Sequence, residues 1–154
     1  MTRVLGLKVG IFVFFFDFSK GFIAILLLSQ MTTDPLLIAL SSSSIVLGHC
    51  WPLFLKFKGG KGVAPGVGTF SAIAYEIVLI PVILSLFLIY KTKTASIGSL
   101  VGSISSFIPF IIFIVLGIYD IEYLVYYFTT MVIILIRHKE NIKRLINNNE
   151  RKFK

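Results

Sequence analysis

The chain has 154 residues, 56% of them hydrophobic and 14% charged, with a mean hydropathy of +0.94. Soluble domains carry about 25% charged residues, and a fold this small has too much surface to hide so much Ile, Leu, Val and Phe, so a water-soluble globule is excluded. The formal charge of +8 sits at the ends of apolar runs, which points to membrane topology and away from nucleic acid.

The expected fold is all-α, a polytopic membrane helix bundle forming one domain over 1–154. Runs near the 20 or so residues that cross hydrocarbon occupy 9–30, 36–55, 63–90, 95–118 and 121–136. The first follows "MTRVLGLKVG" without a small-residue cleavage site, so a removable signal peptide is not expected. Inside it Asp17 and Lys20 stand at i, i+3 and can neutralise each other within a bundle. They read either as a structural ion pair or as part of a substrate site. In the second run "SSSS" at 41–44 reads as packing, with hydroxyls bonding back to helix carbonyls. That run leads to "GHCWP", where Trp51 suits the interfacial aromatic belt and His49 reads as a hydrogen-bonding helix-end residue. The single cysteine, Cys50, excludes an intramolecular disulfide and is expected as a small buried filler.

Next comes "WPLFLKFKGGKGVAPGVG", 51–68. Consecutive glycines let backbone N–H groups converge on an anion, and Lys58 and Lys61 add point charges. Gly62 stands where a Walker loop carries Ser or Thr. The stretch reads as a phosphate site opening onto a helix N-terminus, or as a flexible loop whose lysines fix orientation.

Basic residues fall at Arg3/Lys8, Lys56/Lys58/Lys61, Lys91/Lys93 and from Arg137 onward, whereas the linkers "QMTTDP" and "YDIEY" carry only acids. The positive-inside rule places every basic cluster on the cytoplasmic side, which five single crossings cannot satisfy. Splitting 63–90 into a half-helix of about 64–74, a turn near Tyr75–Glu76 and a segment of about 77–90 restores the parity. The result is six segments with both termini cytoplasmic, the half-helix being tolerable only where its ends are buried or water-lined. "GVAPG" (62–66) and "GSLVG" (98–102) have the small-xxx-small spacing of close helix contact.

The tail 137–154 places His138, Asn141 and Arg144 at successive i, i+3 steps on one helix side. Asn141 and Arg144 can grip a phosphorylated group and His138 can accept or orient a proton. The alternative is a basic anchor for anionic lipid. Two histidines, one cysteine and no clustered carboxylates give no support to a metal centre.

These motifs together resemble the bacterial acyl-phosphate:glycerol-3-phosphate acyltransferases. "GHCWPLFLKFKGGKGVA" is similar to their second signature, "RHKENIKRLINNNE" to their third including Glu150, and "RVLGLKVGIFVFFFDFSKG" to the segment after their first, with its D-x-x-K-G. Of the first signature only Arg3 matches, so the chain looks like an N-terminally shortened member, and Pro65 replaces a usual Thr. The resemblance implies seven segments in full-length members. It implies acyl transfer from acyl phosphate to the 1-hydroxyl of sn-glycerol 3-phosphate, giving lysophosphatidic acid at the inner face of the bacterial cytoplasmic membrane, with no cofactor. Carried over by position, Lys58 and Lys61 with the amides of Gly59, Gly60 and Gly62 would cradle a phosphate. Arg3, His138 and Asn141 would position glycerol 3-phosphate, with Ser96 donating one hydrogen bond. His49, Asp17, Lys20, Arg144 and Glu150 would support the site. The acyl chain would enter laterally from membrane lipid, and the hydroxyl proton would go to a substrate phosphate or to His138. An inactive shortened member, or a small transporter or lipid-binding protein using the same loop, are the alternatives.

Overall fold

The computed structural model describes residues 2–152, with side chains from Lys8 onward. Every regular element among them is helical: α1 (Thr2–Ser29), α2 (Pro35–Cys50), α3 (Val63–Ile73), α4 (Tyr75–Thr92), α5 (Ala95–Ser105), α6 (Phe107–Val115), α7 (Tyr123–Arg137) and α8 (Lys139–Ile146), with one 3₁₀ turn at Leu53–Leu55. Four stretches are long and apolar enough to cross a membrane: Lys8–Ser29, Pro35–Leu55, Tyr75–Thr92 and Ala95–Val115. The helices α3 and α7 are shorter; at 1.5 Å per residue α3 reaches only about 16 Å.

Local chemistry sets the ends. Asp34 caps α2, its Oδ1 accepting from the amides of Leu36 (2.9 Å) and Leu37 (3.2 Å), with Pro35 in the first turn, where its missing N–H costs nothing. The boundary between α3 and α4 falls at Ala74 (φ −141°), one residue before the expected turn, and α4 begins at Tyr75 rather than 77. The expected single run 95–118 is interrupted at Ser106 and ends at Val115. Pro109 explains the interruption, because it has no N–H to offer the Ser105 carbonyl. The second run stops as α-helix at Cys50, before Pro52, and continues only as the 3₁₀ turn.

Glycines carry the close crossings. A Cβ on Gly68 of α3 would stand 2.2 Å from the Phe18 carbonyl oxygen of α1, and one on Gly21 of α1 2.6 Å from the Pro65 oxygen of α3. A Cβ on Gly98 of α5 would stand 2.5 Å from the Ser85 carbonyl oxygen of α4 and one on Gly102 2.8 Å from Ser85 Cβ, which is the close backbone approach small residues give membrane helices. Ser42, Ser43 and Ser44 each donate to the carbonyl four residues earlier, and Ser43 also meets Thr129 at 2.6 Å, tying α2 to α7.

The core gathers Ala39, Phe70, Ala74, Ile77, Val78, Phe110, Tyr126 and Tyr127. Phe70 meets Phe110 edge-on at 5.4 Å, and Phe110 stacks on Tyr127 at 5.7 Å, geometries that aromatic quadrupoles favour. Outward-facing Phe12, Phe15, Leu27, Ile83, Ile108 and Ile136 are exposed, the arrangement of a bundle whose solvent is lipid.

Candidate functional site

Five parts of the chain converge at one end of the bundle: the middle of α1, the loop from His49 to Gly62, the start of α5, the α7–α8 joint and the tail to Glu150. The loop is held on both edges. The amides of Gly59 and Gly60 donate to the carbonyl oxygens of Cys50 and His49, each at 3.2 Å. Their own carbonyls accept from Arg137, Nη2 to Gly59 at 2.6 Å and Nε to Gly60 at 2.8 Å. The Arg137 guanidinium also lies 5.3 Å from the centre of the Trp51 ring. These bonds correct one expectation: the Gly59 and Gly60 amides are bonded to the end of α2 and are not turned toward an anion. Glycine is required there for another reason. A Cβ on Gly59 would lie 2.1 Å from the His49 oxygen, and one on Gly60 2.0 Å from His49 Nε2. Gly62 is buried at φ +82°, a left-handed conformation that opens α3, and glycine takes it without the cost other residues meet.

Lys61 leaves this loop and donates to Asn141 Oδ1 at 2.5 Å. Asn141 is 5% exposed; its Nδ2 donates to Glu150 Oε1 at 2.8 Å, and Arg144 Nε donates to Glu150 Oε2 at 3.0 Å. Arg144 is partly exposed, while the Glu150 side chain is buried. Burial alone would raise the Glu150 pKa, but the bonds from Asn141 and Arg144 outweigh it and hold the carboxyl below its ordinary range. The Ser96 hydroxyl is buried beside this carboxylate without a hydrogen bond of normal geometry.

His138, at 1% exposure, closes α7 and opens α8. Its Nδ1 is 2.8 Å from the Ile134 carbonyl oxygen. A carbonyl only accepts, so Nδ1 carries hydrogen and the neutral ring keeps its lone pair on Nε2. On α1, Lys20 Nζ is 2.7 Å from Asp17 Oδ1 and 2.7 Å from His49 Nδ1. The ion pair read in the sequence exists, and His49 joins it across helices.

Part of this set borders one cavity of about 1370 Å³, whose lining does not include Arg137, Asn141, Arg144 or Glu150. Asp17, Lys20, His49, Lys58, Lys61, Ser96 and His138 border it, and it continues between the helices past Val67, Phe70, Val78, Leu86, Ile89 and Met131. Lys58 is exposed. The Arg3 side chain lies outside the described side chains. Arg137 is the site residue that the sequence does not single out; its only trace there is a guanidinium immediately before His138 in "IRHKEN". Thr130, whose buried hydroxyl lacks a partner, also lines the cavity, and within an apolar run nothing marks it.

A family model described as glycerol-3-phosphate acyltransferase matches residues 1–148. The chain is 34% identical to the glycerol-3-phosphate acyltransferase of Aquifex aeolicus over 99% of its own length and 78% of the relative's. It is 35% identical to that of Lawsonia intracellularis over 100% and 75%. It superposes on the crystal structure of PlsY (YgiH), an integral membrane glycerol 3-phosphate acyltransferase, in its glycerol 3-phosphate form. That match has a TM-score of 0.89 and 34% identity, covering 99% of this chain and 75% of that one. The lysophosphatidic acid form of the same enzyme gives a TM-score of 0.88. The chain thus spans about three quarters of the length of these relatives. Helices, loop signature and sequence match agree: this integral membrane protein belongs to the glycerol-3-phosphate acyltransferase family.

Proposed function

We propose that the chain transfers a fatty acyl group from acyl phosphate to the 1-hydroxyl of sn-glycerol 3-phosphate, releasing lysophosphatidic acid and inorganic phosphate. The observation that carries this reading is the shape of the cavity. Its polar end is bordered by three lysines, Lys20, Lys58 and Lys61, together with His49 and His138, and its remainder is an apolar passage between helices. Two phosphates and one alkyl chain need such a space.

Acyl phosphate is an activated mixed anhydride, so the protein's task is to hold two anions in line and to stabilise developing charge. Lys58 and Lys61 hold phosphate charge over the Gly59–Gly60 turn. Asn141, Ser96 and Arg3 position glycerol 3-phosphate, while Glu150 and Arg144 fix Asn141. The hydroxyl oxygen attacks the acyl carbon and the bond from that carbon to the phosphate oxygen breaks. The hydroxyl proton ends on the departing phosphate, and His138 Nε2 is the acceptor positioned to orient it. Positive residues on the loops and tail favour the cytoplasmic side of the inner membrane for this face and for both described ends, with the acyl donor entering from the bilayer.

The test is acyl transfer to labelled glycerol 3-phosphate in membranes lacking any related acyltransferase, with Lys61→Ala alongside. Lysophosphatidic acid from the parent and not from the variant supports the reading. No product from inserted parent protein refutes catalysis by this chain.

A further inference from the structure

We propose that His49 is a hydrogen-bond donor of the acyl-phosphate subsite, a neutral imidazole whose proton is held on Nε2 by the Lys20 ammonium and offered to the anion carried by the Lys58–Lys61 loop. This rests on the reading just given, and it assigns His49 a role opposite to that of His138.

The argument starts at Lys20. Its Nζ lies 2.7 Å from Asp17 Oδ1, so the lysine is an ammonium paired to a carboxylate. An ammonium has three hydrogens and no lone pair; at 2.7 Å from His49 Nδ1 it can only donate. Nδ1 must therefore be bare. The Asp17 oxygen is 3.5 Å from Nδ1, beyond the range of about 2.7–3.2 Å for an N–H···O bond, so it does not claim a proton there. An imidazolium would set an N–H against the ammonium at that short distance. What remains is the neutral ring with its hydrogen on Nε2, since the hydrogen bond at one ring nitrogen dictates the state of the other.

The backbone aims that nitrogen. His49 accepts the Gly60 amide at its own carbonyl, so the turn and the histidine move as one piece. Nε2 lies against Gly60, where a Cβ would come within 2.0 Å. Only glycine admits the ring edge that close to the turn, and the His49 side chain keeps 13% of its surface exposed, bordering the cavity. His49, Lys20, Lys58 and Lys61 border the same cavity, so an oxygen of acyl phosphate over the turn meets one N–H and the lysine charges. With the Gly59 and Gly60 amides bonded elsewhere, this N–H takes the place that backbone donors fill in other phosphate loops. No proton is transferred by His49; it binds charge that grows on the leaving phosphate. The site then has one donor imidazole, His49, and one acceptor imidazole, His138.

The experiment combines nitrogen NMR of histidine-labelled full chain in lipid nanodiscs with kinetics. In the parent, His49 should show a bare Nδ1 and a protonated Nε2, and Lys20→Met should turn this into a tautomer mixture. His49→Gln, whose amide nitrogen reaches the Nε2 position, should keep kcat/KM for acyl phosphate within about 10-fold. His49→Ala and His49→Asn should lose about 100-fold or more, the range for one removed donor. The KM for glycerol 3-phosphate should stay unchanged throughout. A protonated Nδ1 in the parent overturns the proposal, as does a folded His49→Gln no better than His49→Ala. If the parent makes no lysophosphatidic acid, the underlying acyl-transfer reading falls, and the spectrum then reports on the Lys20–His49 geometry alone.

Discussion

Lys61 Nζ sits 2.5 Å from Asn141 Oδ1, joining the glycine loop to the α7–α8 joint across eighty residues of chain. Asn141 is committed at both ends, accepting from Lys61 and donating to Glu150 at 2.8 Å. The contact fixes how the two halves of the polar pocket face each other. It also fixes the orientation of the amide, because an ammonium needs the oxygen and a carboxylate needs the nitrogen.

Asn141→Asp is therefore expected to be worse than its size suggests. The new oxygen still suits Lys61 but replaces the donor toward Glu150 Oε1, leaving two carboxylates in contact with only Arg144 on the other oxygen of Glu150. Acyl transfer should fall by about 100-fold or more and thermal stability in detergent should drop. Glu150→Gln in the same chain should recover stability, since an amide can again donate. Measured melting of the single and double variants decides it; an Asn141→Asp protein as stable as the parent would show that the pair is not in contact.

Arg137→Lys should separate binding from chemistry. A lysine keeps the charge but cannot span two carbonyls 2.6 and 2.8 Å away with a fixed fork. Losing charged hydrogen bonds of this kind costs about 1.5–3 kcal/mol. Hydrogen exchange over residues 58–62 should quicken and the KM for acyl phosphate should rise about 10-fold. The KM for glycerol 3-phosphate should hold. Equal changes in both KM values would show that the brace is not local to the loop.

How much of this was readable beforehand varies by residue. Asp17 and Lys20 announced their pairing because two charges one helical turn apart in an apolar run have few other options. A close helix contact was readable in Gly98 and Gly102 from their small-xxx-small spacing, but not that the partner is α4. The partners of Gly59 and Gly60 were not readable, because the same glycine pair serves an open anion nest or a tightly packed clip. Which one forms depends on Arg137, nearly eighty residues away. Likewise the proton positions on His49 and His138 follow from a lysine on another helix and a carbonyl one turn back, neither of which their own motifs specify.

Acidification should act through His138 first. Burial lowers its pKa and the nearby Lys61 charge adds to this, against opposing effects of the Ile134 carbonyl and Glu150. A histidine whose folded value lies below its unfolded value of about 6.5 binds protons more readily when unfolded. Its contribution to stability is thus fully present above about pH 6.5 and shrinks as the pH falls below it. Glu150, held low by Asn141 and Arg144, adds a second loss as the pH falls through the unfolded carboxylate value of about 4.3. Melting temperature measured from pH 8 to pH 3 should be flat and then fall in two stages, with His138→Gln reducing the upper stage. A parent that grows more stable between pH 6.5 and 5.5 would reverse the assigned sign.

Three glycines between positions 48 and 60 should answer differently to alanine, and the order tests the loop's construction. Gly48 lies in α2 with nothing within 4 Å of a new Cβ, so Gly48→Ala should fold and gain up to about 1 kcal/mol from helix propensity. At Gly60 the Cβ meets the His49 ring, which can turn aside. Gly60→Ala should then fold but bind acyl phosphate poorly, because the donor edge moves with the ring. At Gly59 the Cβ meets the His49 and Cys50 carbonyl oxygens at 2.1 and 2.7 Å. Those oxygens hold the turn, so relief requires breaking its hydrogen bonds, and overpacking of this kind costs about 1–3 kcal/mol. Gly59→Ala should lose both activity and thermal stability. Melting temperatures together with KM for acyl phosphate rank the three; a Gly59→Ala protein that melts with the parent would mean the turn can leave the end of α2 at little cost, and the clip would then be an open loop after all.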